Sequence, residues 1–173
     1  MSEYQEIHAS GTITYNEFQK YNSYHSKKTV IAISLFSFFS IVLLGIIIAD
    51  GSYFILVPFS IILASIVAVI SILILVTAFR IRARREYNSD FLMTKEITYT
   101  INDNGITQQI TKKSHNFIEW NYIVKGYEDD DMFRLYVSRN KAIVLPKRFF
   151  TSENDLTIFK KIISKNINKM KLN

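Results

Sequence analysis

The side chains that could hold a metal or move a proton are few and far apart. His8, His25 and His115 are the only histidines, and their separations match no metal-ligand spacing. Asp129-Asp130-Asp131 sets three carboxylates in a row. A calcium loop needs spaced acids around a central glycine, so this run reads instead as a polar hairpin turn. Cysteine is absent, which excludes thiolate nucleophiles, disulfides and thiolate metal sites. No nucleophile elbow, phosphate-binding loop or dinucleotide fingerprint occurs. The sequence therefore assigns no catalytic residue, cofactor or metal, and the expectation is a protein that is not an enzyme.

Basic side chains are the remaining candidates for contact chemistry. The net charge of +6 over 173 residues is modest, so its placement matters more than its sum. Lys27 and Lys28 precede a long apolar block, and Arg80, Arg82, Arg84 and Arg85 follow it. Lys147 and Arg148 stand together further on, and Lys161, Lys165 and Lys169 recur near the end. No basic groove interleaved with aromatic stacking residues appears, so nucleic acid is not an expected partner.

The apolar block, residues 29–79, positions these charges. Residues 29–49 carry no charge and are long enough for the roughly 30 Å hydrocarbon core, which takes about 20 helical residues. Asp50-Gly51-Ser52 is a short turn, and residues 53–79 are again uncharged. Neither run has the polar face of a soluble helix, and a second span directly after the first argues against a signal peptide. Two transmembrane helices are predicted. Basic residues flank the hairpin at its open end and none lies in the turn, which places both termini in the cytoplasm. Pro58 falls near the start of the second span. Ser34, Ser37, Ser40, Ser60, Ser65 and Ser71 are small enough for close helix packing, or can bond their own helix backbone. The arginines also suit anionic lipid head groups.

The rest of the chain is patterned for water. Within residues 1–28, Tyr4 to Ile13 reads as a strand, and Thr14 with Glu17 forms a capping box for a short helix to about Tyr24. Residues 80–94 form a basic juxtamembrane linker, with 86–94 either linker or helical continuation. From Lys95 the pattern alternates: Ile97, Tyr99 and Ile101 face one way, and Asp103-Asn104-Gly105 turns the chain into a partner strand ending at Thr111. Lys112 to His115 is the next turn, and residues 117–127 a third element around Trp120. Met132–Ser138 and Lys141–Leu145 make a hairpin about Arg139-Asn140, stopped by Pro146. Ser152 caps a last helix whose Leu156, Phe159, Ile163 and Ile167 form an apolar stripe, with the lysines opposite. Residues 95–173 are thus expected to form four or five antiparallel strands covered by a helix, and whether the N-terminal strand adds to this sheet is left open.

The Trp120-x-x-Ile123 element, Phe133-x-Leu135-Tyr136-x-Ser138, and above all Leu145-Pro146-Lys147-Arg148-Phe149-Phe150 resemble the signature of the YcxB-like membrane proteins of bacteria. The order of elements fits as well. The resemblance implies a domain built like the pleckstrin-homology-type sheets of bacterial membrane proteins, and no activity. In that setting Pro146 ends the last strand, Lys147 and Arg148 stay at the surface, and Trp120, Phe149 and Phe159 fill the core.

The expected fold class is therefore membrane α+β: a two-helix transmembrane hairpin plus a small antiparallel, pleckstrin-homology-like sheet capped by a C-terminal helix. The expected function is a non-enzymatic interaction module anchored in the bacterial cell membrane by two spans. Its cytoplasmic domain would bind a protein partner or anionic lipid at the inner leaflet. The contact residues would be Arg80, Arg82, Arg84, Arg85, Lys147 and Arg148. The alternative is an immunity protein that blocks a toxin or bacteriocin at the membrane. Oligomeric state is not legible in the sequence.

Overall fold

Thr14 and Glu17 start the first helix as their spacing predicts. In a computed structural model, which describes residues 6–90, 95–110, 114–139 and 141–172, Thr14 donates its N–H and its hydroxyl to Glu17 Oε2 at 2.8 and 2.9 Å. The Glu17 N–H donates back to Thr14 Oγ1 at 3.4 Å. The helix that follows, α1, runs unbroken over Tyr15–Ile48. The expected short helix and the first span are one element, because nothing between Asn22 and Lys28 breaks a helix. Likewise α2 covers Tyr53–Ser89 and carries the arginine cluster within it, as strong helix formers such as Arg and Ala favour. Residues 91–94 of the anticipated linker lie outside the described residues.

The chain forms two compact units, residues 22–86 and the remainder. In the first, Asp50 and Gly51 take φ values of 31° and 90°, a left-handed turn that glycine adopts at little cost. Gly45 lies so close to Ser60 that a Cβ would overlap the serine side chain, and Ser34, Ser60 and Ala64 are buried. Both roles foreseen for the serines occur. Ser37, Ser40, Ser60, Ser65 and Ser71 each donate to a carbonyl one turn back, while Ser60 also sits at the close approach.

The second unit holds eight strands in two four-stranded sheets. β1 (Ile7–Gly11), β2 (Ile97–Asn102), β3 (Gly105–Ile110) and β4 (His115–Glu119) form an antiparallel sheet in that order. In the other, β7 (Ala142–Pro146), β6 (Met132–Tyr136), β5 (Lys125–Glu128) and β8 (Met170–Lys171) are neighbours in that order. The N-terminal strand, whose place the sequence leaves open, joins β2 with Ala9 opposite Tyr99. Two features correct the expected single sheet of four or five strands. The element around Trp120 is two strands, because a 3₁₀ turn at Trp120–Tyr122 sends β4 and β5 into different sheets. β8 adds a parallel pairing on β5, where Gly126 leaves the space that the Met170 side chain fills. His115, anticipated in a turn, begins β4. Lys112, Lys113 and Asn140, assigned to turns, lie outside the described residues.

The last helix, α3 (Glu153–Asn166), is capped by Ser152, whose hydroxyl accepts the Asp155 N–H at 3.1 Å. It buries Phe159, Ile162 and Ile163, and Phe159 stacks at 5.0 Å from both Phe133 and Phe150. Tyr99 links the sheets, donating from β2 to the Val144 carbonyl of β7 at 3.3 Å. Burial pushes its phenol well above the usual tyrosine value. Trp120 is buried and donates its indole N–H to the Asn102 carbonyl at 2.9 Å, so the one polar atom of this side chain is satisfied.

Two glycines allow a direct comparison of rigid and soft crowding. A Cβ on Gly11 would meet the buried ring of Phe149, whereas one on Gly126 would meet the end of the flexible Met170 side chain. Gly11→Ala is expected to cost about 1–3 kcal/mol, and Gly126→Ala less than about 1 kcal/mol. Denaturant unfolding followed by Trp120 fluorescence measures both.

Candidate functional site

Leu145-Pro146-Lys147-Arg148-Phe149-Phe150 leaves β7 and enters a 3₁₀ turn at Lys147–Phe149. Because such a turn rotates successive side chains by about 120°, its three residues point in three different directions. Phe149 is buried beneath Gly11 and 6.4 Å from the Tyr99 ring. Phe150 packs on Phe133 and Phe159, and its backbone bridges to Ala9 of β1. The two cations between them and the strand each meet an acid.

Arg148 grips the N-terminal segment. Its Nε donates to Glu17 Oε1 at 2.7 Å, and its Nη2 donates to Glu17 Oε2 at 2.8 Å and to the Thr12 carbonyl at 2.6 Å. Burial works against the charged carboxylate, but bonds from Arg148 and Thr14, with the guanidinium charge, outweigh it and hold Glu17 below the ordinary carboxylate value. The same contact raises the Arg148 pKa. Nearby, Tyr87 near the end of α2 donates to the Ile13 carbonyl at 2.9 Å and packs against Tyr15 and Phe18.

Lys147 turns to Glu128, the most buried acid of the described residues. Lys147 and Lys160 of α3 both contact Glu128 Oε1 at 2.6 Å. Desolvation alone would raise this carboxyl; the two ammonium groups overcome it and lower the pKa. The acidic run is similarly occupied. Asp129 takes the Arg134 fork at 2.6 and 3.0 Å, and Arg134 also donates to the Tyr136 hydroxyl at 3.1 Å. Asp131 pairs with Lys20 at 2.6 Å, and its carbonyl accepts the Lys147 N–H at 2.8 Å. Among the described residues, no three of His, Asp or Glu gather as a metal site.

The six basic residues singled out as contact residues thus fall into two groups. Lys147 and Arg148 are engaged inside the domain by Glu128 and Glu17. Arg80, Arg82, Arg84 and Arg85 are exposed on α2, and no ion pair to them occurs among the described residues. At about 100° per residue they occupy an arc of roughly 200°, and the buried Ala83 lies outside it. Lys27 and Lys28 of α1 are exposed too. Trp120, Phe149 and Phe159 are buried. A cleft of about 360 Å³ between the Asp103 turn and α3 is lined by Asn154, Ile158, Ile162, Lys161 and Lys165. Sequence reasoning missed the second partner of Glu17, the double use of Glu128 and the Asp129–Arg134 pair. Capping-box spacing marked Glu17, but nothing local marks a partner 131 positions away.

Residues 101–163 match the YcxB-like protein family. The chain is 33% identical over 108 residues to the uncharacterized protein YcxB of Bacillus subtilis (strain 168), a match covering 62% of this chain and 57% of that protein. The matched stretch thus spans little more than half the length of this curated relative. No solved structure matches.

The two lowered carboxylates set an acid limb of stability. An unfolded chain with carboxyls near 4.5 takes up protons before the folded chain does. The stability these groups confer is therefore complete above about pH 4.5 and lost as pH falls through the folded values. Glu128→Gln is expected to cost about 3 kcal/mol at pH 7 and to flatten that limb, because it leaves two lysines without their shared charge. Unfolding curves collected between pH 7 and pH 3 measure both effects.

Proposed function

Through residues 101–163 the chain belongs to the YcxB-like family, and from that premise we propose a membrane-anchored, non-enzymatic interaction module of the bacterial cell membrane. The observation that carries the reading is the pairing of two uncharged, largely exposed apolar runs, one in α1 and one in α2, with four exposed arginines directly after the second run, to which no ion pair occurs among the described residues. Both helices are long and apolar enough to cross a membrane. Of their most apolar windows, only 6% and 11% of residues are buried within the protein, so these are not core helices of a soluble fold. Phe36, Phe54 and Ile55 each expose about three quarters or more of their surface, and in water such an apolar face is unfavourable. A bilayer removes that cost. With a turn as short as Asp50–Ser52, the basic flanks favour a topology with both termini in the cytoplasm.

The arginine arc is the contact surface for anionic lipid at the inner leaflet. Each Arg near an anionic surface contributes about 1 kcal/mol, and side chains free of internal acids keep that interaction available. The double sheet closed by a C-terminal helix supports a pleckstrin-homology-like reading of the domain. That domain, with Glu17, Glu128, Asp129 and Asp131 each paired to a basic side chain, presents a body suited to docking a protein partner beside the membrane.

The absence of native cysteine makes topology directly measurable. In intact cells, Ser52→Cys should react with a membrane-impermeant thiol reagent, while Lys27→Cys and Lys165→Cys should react only after permeabilisation. Replacing all four arginines by Gln should lower the ratio of anionic to zwitterionic lipid that copurifies with the chain. Extraction of the unaltered protein by alkaline carbonate, or labelling of Lys165→Cys from outside, would sink the reading.

A further inference from the structure

β4 is the last strand of its sheet, and no strand among the described residues pairs with its outer edge. The register of the β3–β4 hairpin fixes which of its backbone groups face outward. Ile110 donates to the Ser114 carbonyl, and Gln108 and Ile106 stand opposite Asn116 and Ile118. In an antiparallel ladder the groups of alternate residues point to one neighbour, so Ser114, Asn116 and Ile118 turn theirs toward β3. His115, Phe117 and Glu119 turn their N–H and C=O groups away from the sheet. Their side chains share one face with Thr107 and Gln109, the polar face of the sheet. Phe117 stands on that face 51% exposed, as its only large apolar side chain beside threonines and glutamine.

We propose that β4 is a self-pairing edge through which two copies of this chain join their sheets, antiparallel and centred on Phe117. The strand His115-Asn116-Phe117-Ile118-Glu119 is complementary to itself in that register and in no neighbouring one. Phe117 lies opposite Phe117 of the second copy, and the outward backbone groups of each exchange bonds. His115 falls opposite Glu119 of the second copy, so an imidazole N–H faces a carboxylate on both sides of the aromatic pair. A shift by one residue would set outward-facing groups against inward-facing ones. A shift by two would set Phe117 opposite His115 or Glu119 and lose both imidazole–carboxylate pairs. Cross-strand aromatic and polar pairs of this kind favour the pairing of two strands. β4 also lacks the lysine or proline that commonly blocks edge pairing.

A five-residue strand pair buries less than the roughly 1,200 Å² of a stable free complex. Pairing is therefore expected to be strong only where copies are concentrated, and in this respect it rests on the anchoring proposed above. Opposite residues of a bonded antiparallel pair have Cα atoms about 5.5 Å apart, within reach of a disulfide. The full-length chain carrying Phe117→Cys, oxidised in native membranes, should give a disulfide-linked dimer. His115→Cys alone should not, since its two copies would lie about 13 Å apart along the strands. Differently tagged His115→Cys and Glu119→Cys chains, expressed together, should crosslink to each other. Lys165→Cys, on the exposed side of α3, reports random collision. The proposal is overturned if Phe117→Cys fails to dimerise in the fraction holding the chain. It is also overturned if His115→Cys alone dimerises efficiently, or if Lys165→Cys crosslinks as well as Phe117→Cys. Recovery of the chain in the soluble fraction would count against the anchoring, and the crosslinking pattern would still be read there.

Discussion

Arg148 meets Glu17 across 131 positions of sequence, two nitrogens on two carboxylate oxygens, with a further bond to Thr12. Three structural decisions depend on that contact. Glu17 also receives both donors of Thr14, so the start of α1 is fixed by the same carboxylate that receives the guanidinium. Thr12 directly follows β1, so the grip lies one residue beyond the strand's pairing with β2. Phe149, the next residue, is buried under Gly11, whose missing side chain lets strand and turn approach. The N-terminal segment is thereby part of the domain's core and its first sheet, and the remote closure is held by charge-assisted bonds that local sequence could not supply.

The other cations and acids of the domain follow the same economy. Glu128 gathers Lys147 from the turn and Lys160 from α3, which ties β5 to the helix that covers the sheet. Asp129 and Asp131, in the run read from sequence as a polar hairpin turn, are paired with Arg134 and Lys20. Arg80, Arg82, Arg84 and Arg85, with no ion pair among the described residues, lie on α2, where an anionic surface would meet them on the proposed reading. The Lys147–Phe150 segment thus works as a junction: its four side chains meet Glu128 of β5, Glu17 of α1, Tyr99 of β2 and Phe159 of α3.

Periodicity made much of this architecture legible. The two uncharged runs, both N-terminal capping sequences, the Asp103-Asn104-Gly105 turn and the stripe on α3 each announce themselves within a few residues, because their physics is local. The division into two sheets did not. The break at Trp120–Tyr122 lies inside an apolar, β-prone run, and the indole bond to the Asn102 carbonyl that accompanies it is made to a strand distant in sequence. β8 is only two residues long and depends on a gap at Gly126 that is visible only in three dimensions. Of the basic residues, sequence identified the positions, but the loss of Lys147 and Arg148 to internal acids required the tertiary pairing to be seen.

A double-mutant cycle between Glu17 and Arg148 addresses the central claim most directly. Glu17→Gln, Arg148→Gln and the pair would be unfolded in mild detergent, with Trp120, the only tryptophan, as reporter. The Arg148 side chain is half exposed, so solvent screening limits the coupling. The forked geometry and the sheltered carboxylate keep it near the upper end for such pairs, at about 1 kcal/mol. Coupling of that size, with each single change lowering stability, is the predicted result. Effects that add within about 0.3 kcal/mol would contradict the account and return the N-terminal segment to a loosely attached strand.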